Sequence, residues 1–307
     1  MAEDPFERDH APPIGAAERL APGVRVVTAP NAGPMTFTGT RTYLVGEGQV
    51  AVIDPGPDDA RHREAVARAL GPGETVVAVL VTHAHRDHSE GAAAMGARLG
   101  AEVLAHGDPV GARAPGMARL AGDLGLGGGE GLVPGFAPDR RIGEGEVIAA
   151  PGLTLAALAT PGHTADHLSF VYREGAALFS GDLVMGWSTT MISPPDGDLA
   201  AYRESLGRLR ERGEGVYYPG HGAAVTRPGR LIGHMLAHRA AREAQVLDML
   251  AKGPARVPEL VEAMYRGLDP KLRGAAARTV LAHLVDLAGR ERVAVEGSGA
   301  GALYGLA

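Results

Sequence analysis

Apolar, strand-like segments of this chain end repeatedly in short turns that carry histidine or aspartate. The first, VVAVLVT at 76–82, runs directly into HAHRDH at 83–88. Three later segments end in PGH at 161–163, SGD at 180–182 and PGH at 219–221. Glycine permits the tight backbone turn that presents each of these side chains. The pattern therefore predicts a fold in which four strand ends converge at one rim.

The order of the predicted elements indicates two sheets with helices on their outer sides. Short strand patterns alternate with helical ones in two successive groups, which is the order expected of two packed sheets flanked by helices. The segment 107–138 has no clear periodicity, and we predict a mobile loop there beside the site. Helices are predicted at 58–70, 89–100, 199–213 and 228–251.

Length and composition exclude several classes of protein. A chain of 307 residues exceeds the size at which one core usually stops growing, so we expect one large domain and a small appendage. Cysteine is absent, which excludes disulfides and thiolate ligands. The net charge of −6 provides no overall basic field for nucleic acid. No apolar run approaches the ~18 residues of a membrane span, and we expect a cytoplasmic protein without a membrane segment.

The HAHRDH segment has the spacing of a metal site. His83 and His85 lie two positions apart at a strand end, so in extended backbone they project to the same side and can share one ion. Asp87 and His88 follow where the chain turns into a helix, and the turn can bring both to a second ion. Neutral imidazole and carboxylate suit Zn²⁺, although Mn²⁺ and Fe²⁺ accept the same ligands.

The motifs HxHxDH, GH, SGD and PGH, in this order, resemble those of the metallo-β-lactamase superfamily. That resemblance implies an α+β fold, a four-layer αββα sandwich, with two zinc ions per chain. It also implies that Asp54, in the DPG turn at 54–56, supports the ligand turn without binding a metal ion itself. The implied ligands are His83, His85 and His163 for one ion, Asp87, His88 and His221 for the other, and Asp182 as the bridge.

The implied chemistry is hydrolysis by a metal-bridging hydroxide. Two Zn²⁺ ions, two carboxylates and one hydroxide leave a positive centre, and the ions lower the pKa of bound water toward ~7. Asp87 and Asp182 are the predicted catalytic carboxylates, and Asp87 could also receive the proton as the hydroxide attacks.

The C-terminal part extends the resemblance. TGTRTYLVG, GWSTTMISPPDGDLAAYRESL and GHMLAHRAAREAQVL are similar to stretches of the beta-lactamase-like protein 2 group, and the tail reads helix, helix, hairpin, like a winged helix. We therefore predict a catalytic domain at 1–227, a linking helix at 228–252 and a winged-helix domain at 253–307.

These observations leave several functions open. The first is hydrolysis of an ester, thioester or lactone of a small anionic substrate, and the alternative is a single-strand-selective endoribonuclease with the winged-helix tail as RNA platform. A third is a winged-helix binding protein with a structural sandwich. The tail, at 253–307, has seven Lys and Arg against six Asp and Glu, which is typical of a solvated face on a domain that stabilises or dimerises the enzyme.

Other residues are assigned more specific roles. His234 and His238 lie four apart on one helical face and are predicted to contact an anionic substrate, and Trp187 to line the pocket. Asp166 and His167 follow His163 closely, and we predict that they orient ligand side chains.

Overall fold

The computed structural model describes residues 4–123, 125–126, 128–129 and 131–307. Its strands are β1 (Ala17–Ala21), β2 (Val24–Thr28), β3 (Arg41–Val45), β4 (Gln49–Ile53), β5 (Thr75–Leu80), β6 (Val103–Ala105), β7 (Arg140–Arg141), β8 (Val147–Ala150), β9 (Leu153–Ala159), β10 (Leu168–Tyr172), β11 (Ala177–Gly181), β12 (Val216–Pro219), β13 (Val293–Glu296) and β14 (Leu303–Leu306). Its α-helices are α1 (Ala60–Arg68), α2 (Arg86–Ser89), α3 (Ala92–Leu99), α4 (Pro115–Asp123), α5 (Leu199–Arg210), α6 (Pro228–Leu250), α7 (Val257–Met264) and α8 (Arg273–Gly289).

Two large sheets form the centre of the molecule. The first has the strand order β1-β2-β3-β4-β5-β6-β7, antiparallel up to β4 and parallel from β4 onward. The second has the order β12-β11-β10-β9-β8 and is antiparallel except for the parallel β11–β12 pair. Because β11 and β12 are parallel neighbours, the SGD and PGH turns that follow them leave the sheet at the same edge.

The core explains why these segments stack as four layers. Side chains from both sheets, including Leu80 from β5 and Phe179 from β11, share one buried cluster between them. On the outer face of the first sheet, Val66 and Met95 of α1 and α3 are buried. On the outer face of the second, α5 and α6 cover Leu178. This arrangement is an αββα sandwich, so the predicted fold class is confirmed.

Main-chain hydrogen bonds bring the motif turns together at one rim. The N–H of Leu168 donates to the carbonyl of Thr82 at 2.7 Å, which ties the His163 turn to the end of β5. The N–H of Gly220 donates to the carbonyl of Gly181 at 2.9 Å, which ties the His221 turn to the Asp182 turn. The predicted convergence of strand ends is therefore correct.

The segment 107–138 differs from the predicted loop, because it contains α4. Pro115 stands at the first helical position, where its missing N–H costs nothing. Met117 is buried against Val285 of α8, and this long-range contact stabilises a helix that local periodicity does not reveal. The prediction of an irregular loop was wrong for these nine residues.

The C-terminal part has its own core. The helices α7 and α8 and the hairpin β13–β14 pack around Val280, Leu284 and Tyr304, in the predicted order of helix, helix, hairpin. The end of α6 contributes Val246 and Leu250 to the same core. The boundaries 1–227, 228–252 and 253–307 stay a prediction. In the part of the chain that the structure describes, none of the helices has the length and apolar character that crossing a bilayer requires.

Candidate metal centre

The structure brings the seven predicted ligand side chains together at the rim of the two sheets. Their nitrogen and oxygen atoms form three overlapping groups, and within each group the atoms lie within 4.8 Å of one another. The groups are His83, His85 and His163; His83, His88 and Asp182; and Asp87, His88 and His221.

In the first group, imidazole nitrogens face each other. Nδ1 of His85 lies 2.9 Å from Nε2 of His83 and 3.0 Å from Nε2 of His163. The Nδ1–H of His163 donates to the carbonyl of Met191 at 2.9 Å, so its Nε2 carries a lone pair directed into the group. Burial holds the pKa of His83 well below its usual range and lowers that of His85 to about 3, so these rings are neutral.

Hydrogen bonds at Nδ1 likewise fix the orientation of the two imidazole rings in the second group. Nδ1 of His88 donates to Oδ2 of Asp54 at 2.9 Å, and Nδ1 of His221 donates to the carbonyl of Gly39 at 3.3 Å. Both Nε2 atoms therefore point inward, where they lie 3.3 Å apart. Oδ2 of Asp87 lies 3.1 Å from Nε2 of His221 and 3.4 Å from Nε2 of His88.

Asp182 lies between the two histidine groups. Its Oδ1 is 3.5 Å from Nε2 of His88, and its Oδ2 is 3.5 Å from Nε2 of His221 and 3.7 Å from Nε2 of His163. The residue is buried, yet Oδ1 has no hydrogen-bond donor among the described residues. A buried carboxylate oxygen without a donor is costly, and a cation at this point would satisfy it.

The electrostatics of the cluster favour positive charge beside Asp87 and Asp182, which protonated His88 and His221 supply here and which a bound cation would supply in their place. Burial opposes charge on His88 and His221, but the carboxylates of Asp87 and Asp182 outweigh it, raising the pKa of His88 well above its usual range and that of His221 to about 9. The same imidazoles hold the pKa of both carboxyl groups well below normal. A donor set of imidazole nitrogen and carboxylate oxygen fits Zn²⁺, Mn²⁺ or Fe²⁺.

Two glycines allow the ligand turns to approach so closely. Gly181 has a φ of +47°, and a Cβ there would lie 2.6 Å from Nε2 of His167. A Cβ on Gly220 would lie 2.5 Å from Oδ1 of Asp182 and 2.6 Å from Cε1 of His88. A side chain at Gly220 would displace Asp182 and His88, and one at Gly181 would displace His167.

Asp166 and His167 hold the main chain of the ligand turns rather than the ligand imidazoles. The N–H of Asp182 donates to Nε2 of His167 at 3.2 Å, and Nδ1 of His167 donates to Oγ1 of Thr160 at 2.8 Å. Oδ2 of Asp166 accepts from the N–H of Ala84, between the first two histidines, at 3.1 Å.

Asp54 links both histidine groups. Its Oδ2 accepts from Nδ1 of His88 and from Oγ1 of Thr82, which in turn accepts from Nδ1 of His83 at 2.9 Å. Thr82 was not among the predicted site residues, although its place before His83 was a usable signal. The carbonyls of Gly39 and Met191 could not be predicted, because a main-chain carbonyl gives no signal in residue type.

The three predicted substrate contacts lie in different surroundings. Trp187 stacks on Phe37 with ring centroids 4.8 Å apart, and both rings lie beside Gly222, next to the predicted ligand His221. His234 packs edge-on against Phe6, 5.5 Å between centroids, and His238 is half-buried with a pKa lowered to about 4, mainly by burial. The three ligand groups do not include either histidine. Their role in substrate binding stays a prediction.

Comparison with known families agrees with this geometry. The family model described as "Metallo-beta-lactamase superfamily" matches residues 35–221, which include all seven clustered side chains. A second model, described as "Beta-lactamase associated winged helix domain", matches residues 257–301.

Several curated relatives match along most of both chains. An atrochrysone carboxyl ACP thioesterase from Aspergillus chevalieri is 30% identical over 93% of this chain and 87% of its own length. A protein with the same name from Passalora fulva is 30% identical over 93% of this chain and 81% of its own. A lactamase-like protein from Aspergillus niger is 28% identical, with 93% and 86% covered.

Solved structures show the same architecture. A beta-lactamase domain protein from Burkholderia ambifaria has a TM-score of 0.80 and 27% identity, with 97% of this chain and 96% of that chain covered. A metallo-beta-lactamase family protein from Thermus thermophilus has a TM-score of 0.74 and 26% identity, with 94% and 100% covered. A third structure, titled as a di-iron-bound form, is 30% identical with a TM-score of 0.50, over 70% of this chain and 96% of that one.

Proposed function

This chain belongs to the metallo-β-lactamase superfamily and is a hydrolase, and from that premise we propose that it is a binuclear metal-dependent thioesterase acting on carrier-bound acyl groups. The observation that carries the proposal is the pair of histidine groups whose ring nitrogens face inward on either side of one shared carboxylate, Asp182.

The two proposed metal sites share one carboxylate, that of Asp182. His83, His85 and His163 would hold one ion and Asp87, His88 and His221 the other, with Asp182 between them. When bound, two such ions lower the pKa of a water and polarise the carbonyl oxygen under attack. We propose Zn²⁺ as the metal, and the di-iron form of one solved relative makes Fe²⁺ the first competitor to test.

The protein's own side chains would orient and relay protons. Asp87 is the more open of the two clustered carboxylates, with 26% of its side chain exposed against 9% for Asp182. In the metal-bound form, in which His88 and His221 would be neutral ligands and would no longer lower the pKa of Asp87 by their charge, Asp87 would take the proton that the attacking water loses and pass it toward the leaving thiolate. Asp182 lies deeper and would keep its charge between the metal sites.

The thioester is favoured over the ester and the lactone by the relatives. Those that match most of both chains include proteins named as ACP thioesterases, at 30% identity. The stacked rings of Phe37 and Trp187, beside His221, form an apolar wall where the acyl group of such a substrate could lie. A thioester also has a better leaving group than an oxygen ester, which suits an attack that depends on one activated water.

A paired titration and substrate panel tests the proposal. Metal-free protein is titrated with Zn²⁺, Fe²⁺ or Mn²⁺, and each form is given an octanoyl thioester of N-acetylcysteamine, the matching oxygen ester and a single-stranded oligoribonucleotide. We expect two ions per chain and faster hydrolysis of the thioester than of the other two substrates. A protein that binds two ions and leaves the thioester intact would contradict the proposal, as would cleavage of the oligoribonucleotide alone.

A further inference from the structure

An open groove lies on the winged-helix part, away from the metal centre. It has a volume of about 450 Å³ and is bordered by α7, the turn after it and the start of α8. Its apolar lining includes Pro258, Val261, Leu268 and Ala277. Leu272, in the adjoining turn before α8, is 50% exposed. An apolar groove between two helices is suited to the apolar face of a further helix.

Cations surround this groove. Arg266 and Arg273 line it, Lys271 lies in the adjoining turn, and the guanidinium of Arg242 lies 4.9 Å from the ring centre of Tyr265, which also lines it. Arg266, Lys271 and Arg273 are exposed, and none of them forms an ion pair with any residue that the structure describes.

The acidic side chains nearby are fewer. Glu262 lines the groove, and Asp269 accepts a hydrogen bond from the main chain of Lys271 at 2.9 Å. Four cations around an apolar floor therefore face two carboxylates. A partner with an apolar stripe flanked by acidic residues is complementary to this surface.

The groove fits a protein helix better than a nucleic acid. Interfaces with nucleic acid are polar and strongly basic, whereas the lining of this groove combines its charged residues with the apolar side chains of Val261, Leu268 and Ala277. Residues 253–307 carry seven basic and six acidic side chains, a difference of only one.

The helix α8 connects the groove to the metal centre. Ala277 lines the groove, and the next residue, Arg278, donates from Nη1 to Oγ of Ser193 at 3.2 Å. Ser193 is two residues from Met191, whose carbonyl holds Nδ1 of His163. The groove and the loop that holds His163 are therefore both in contact with α8.

We propose that this groove docks an acidic amphipathic helix of the carrier protein that delivers the thioester. The inference rests on the proposed function, since it names the partner of the same hydrolytic site. The carrier helix places its apolar face on Val261, Leu268 and Ala277, and its carboxylates pair with Arg266, Lys271 and Arg273. The flexible thioester arm then extends past Ser193 to the metal centre.

Paired substrates separate docking from hydrolysis. The metal-loaded protein is assayed with an octanoyl-loaded acidic acyl carrier protein and with octanoyl-N-acetylcysteamine. For the double variant Lys271→Glu and Arg273→Glu, we expect kcat/KM for the loaded carrier to fall about tenfold or more through KM, because docking charges act mainly on association. Activity on the small thioester stays at the wild-type level.

The control is Arg210→Glu, an exposed charge reversal on α5, which is expected to leave both substrates unaffected. Thermal unfolding of each variant checks that the fold is intact, and Leu272→Glu gives a second variant on the groove side. Raising the salt concentration should weaken turnover of the carrier substrate and leave the small thioester unchanged.

The outcomes are distinguishable. If the wild type hydrolyses neither substrate, the proposed function itself fails. If it hydrolyses both and the double variant treats them alike, the docking proposal is overturned. If the variant instead loses binding of a single-stranded oligoribonucleotide while carrier turnover is unchanged, the groove is a nucleic-acid site and the proposal is also overturned.

Discussion

Two regions of this molecule each bury a carboxylate, one beside arginines and the other beside histidines. The two carboxylates differ in whether the protein supplies their hydrogen-bond donors. Between the sandwich and the winged helix, Asp286 of α8 accepts from Nη2 of Arg203 at 2.7 Å on both oxygens and from Nη2 of Arg290 at 2.6 Å. At the sheet rim, Asp182 is equally buried, but its Oδ1 has no donor among the described residues. Arginine side chains donate hydrogen bonds to both oxygens of Asp286. Oδ1 of Asp182, by contrast, needs a partner such as a cation.

The partners explain the difference. Guanidinium stays protonated at any physiological pH and presents a fixed set of donors, so Arg203 completes a structural contact. Imidazole can instead lose a proton and offer a nitrogen to a cation, and the Nε2 atoms of His163 and His221 face inward where such a cation would lie. A buried carboxylate among arginines therefore joins two domains, and one among inward-facing imidazoles indicates a cation site.

The largest expected effect removes the charge that is shared by both proposed metal sites. Asp182→Asn should lower kcat/KM for a thioester by roughly 10³-fold or more. The clustered side chains act as one unit, so the loss of one removes most of the catalytic contribution of all. Metal content by elemental analysis should fall below two ions per chain. Asp248→Asn, the same change at an exposed position of α6, is the control. Full activity in Asp182→Asn would contradict the view that Asp182 belongs to a cation site while Asp286 belongs to a structural contact.

The corresponding change at the domain contact should affect stability instead. Arg203→Met leaves Asp286, whose side chain is only 3% exposed, and Glu243 with one cation fewer, and should reduce the free energy of unfolding by about 3 kcal/mol. Thioester hydrolysis at 25 °C should persist. Arg98→Met, which breaks the exposed pair with Glu64, should leave the free energy of unfolding close to that of the wild type in denaturant titrations. If both variants lost the same free energy of unfolding, burial of the Arg203–Asp286 contact would make no difference to stability.

A third substitution tests whether His167, which is not in the three proposed ligand groups, positions Asp182 through its hydrogen bond. His167→Leu removes the acceptor of the Asp182 N–H and should weaken metal binding by about 10- to 100-fold in competition with a chelator. His167→Gln, whose side-chain oxygen can accept the same hydrogen bond, should restore part of that affinity. A Co²⁺ spectrum that is identical in wild type and His167→Leu would exclude a positioning role.

The smallest expected effect is a pH dependence at the domain contact. Burial, then the positive charge of Arg239, lowers the pKa of His283 to about 3, with Glu243 opposing and Arg203 and His238 adding to the repulsion. The unfolded chain, with an ordinary pKa near 6.5, binds this proton first, so stability is complete above about pH 6.5 and is lost as pH falls toward 3.

The measurement is a difference between two proteins. Between pH 8 and pH 5, metal-free wild type should lose about 2 kcal/mol more unfolding free energy than His283→Leu, since one pKa unit corresponds to about 1.4 kcal/mol. Taking the difference cancels the titration of the histidines at the sheet rim. Parallel curves for the two proteins would show that His283 does not titrate in this window.

Much of the fold could be predicted from local patterns. The run VVAVLVT and the turns PGH, SGD and PGH are local signals, because strand periodicity and glycine turns depend on neighbouring residues. The helix, helix, hairpin order of the tail is local in the same way. The α4 helix could not be predicted, because Met117 becomes buried only through Val285, far away in the chain.

The amino-acid sequence decided which side chains could serve as ligands and on which turns they stand, since the motifs set residue type and spacing. The folded chain decided which nitrogen of each histidine faces inward, through the carbonyls of Gly39 and Met191 and the carboxylate of Asp54. It also decided that, among the residues described, Oδ1 of Asp182 lacks a donor while Asp286 accepts three hydrogen bonds. Hydrogen-bond satisfaction is a property of partners that are distant in sequence, and no local pattern contains it.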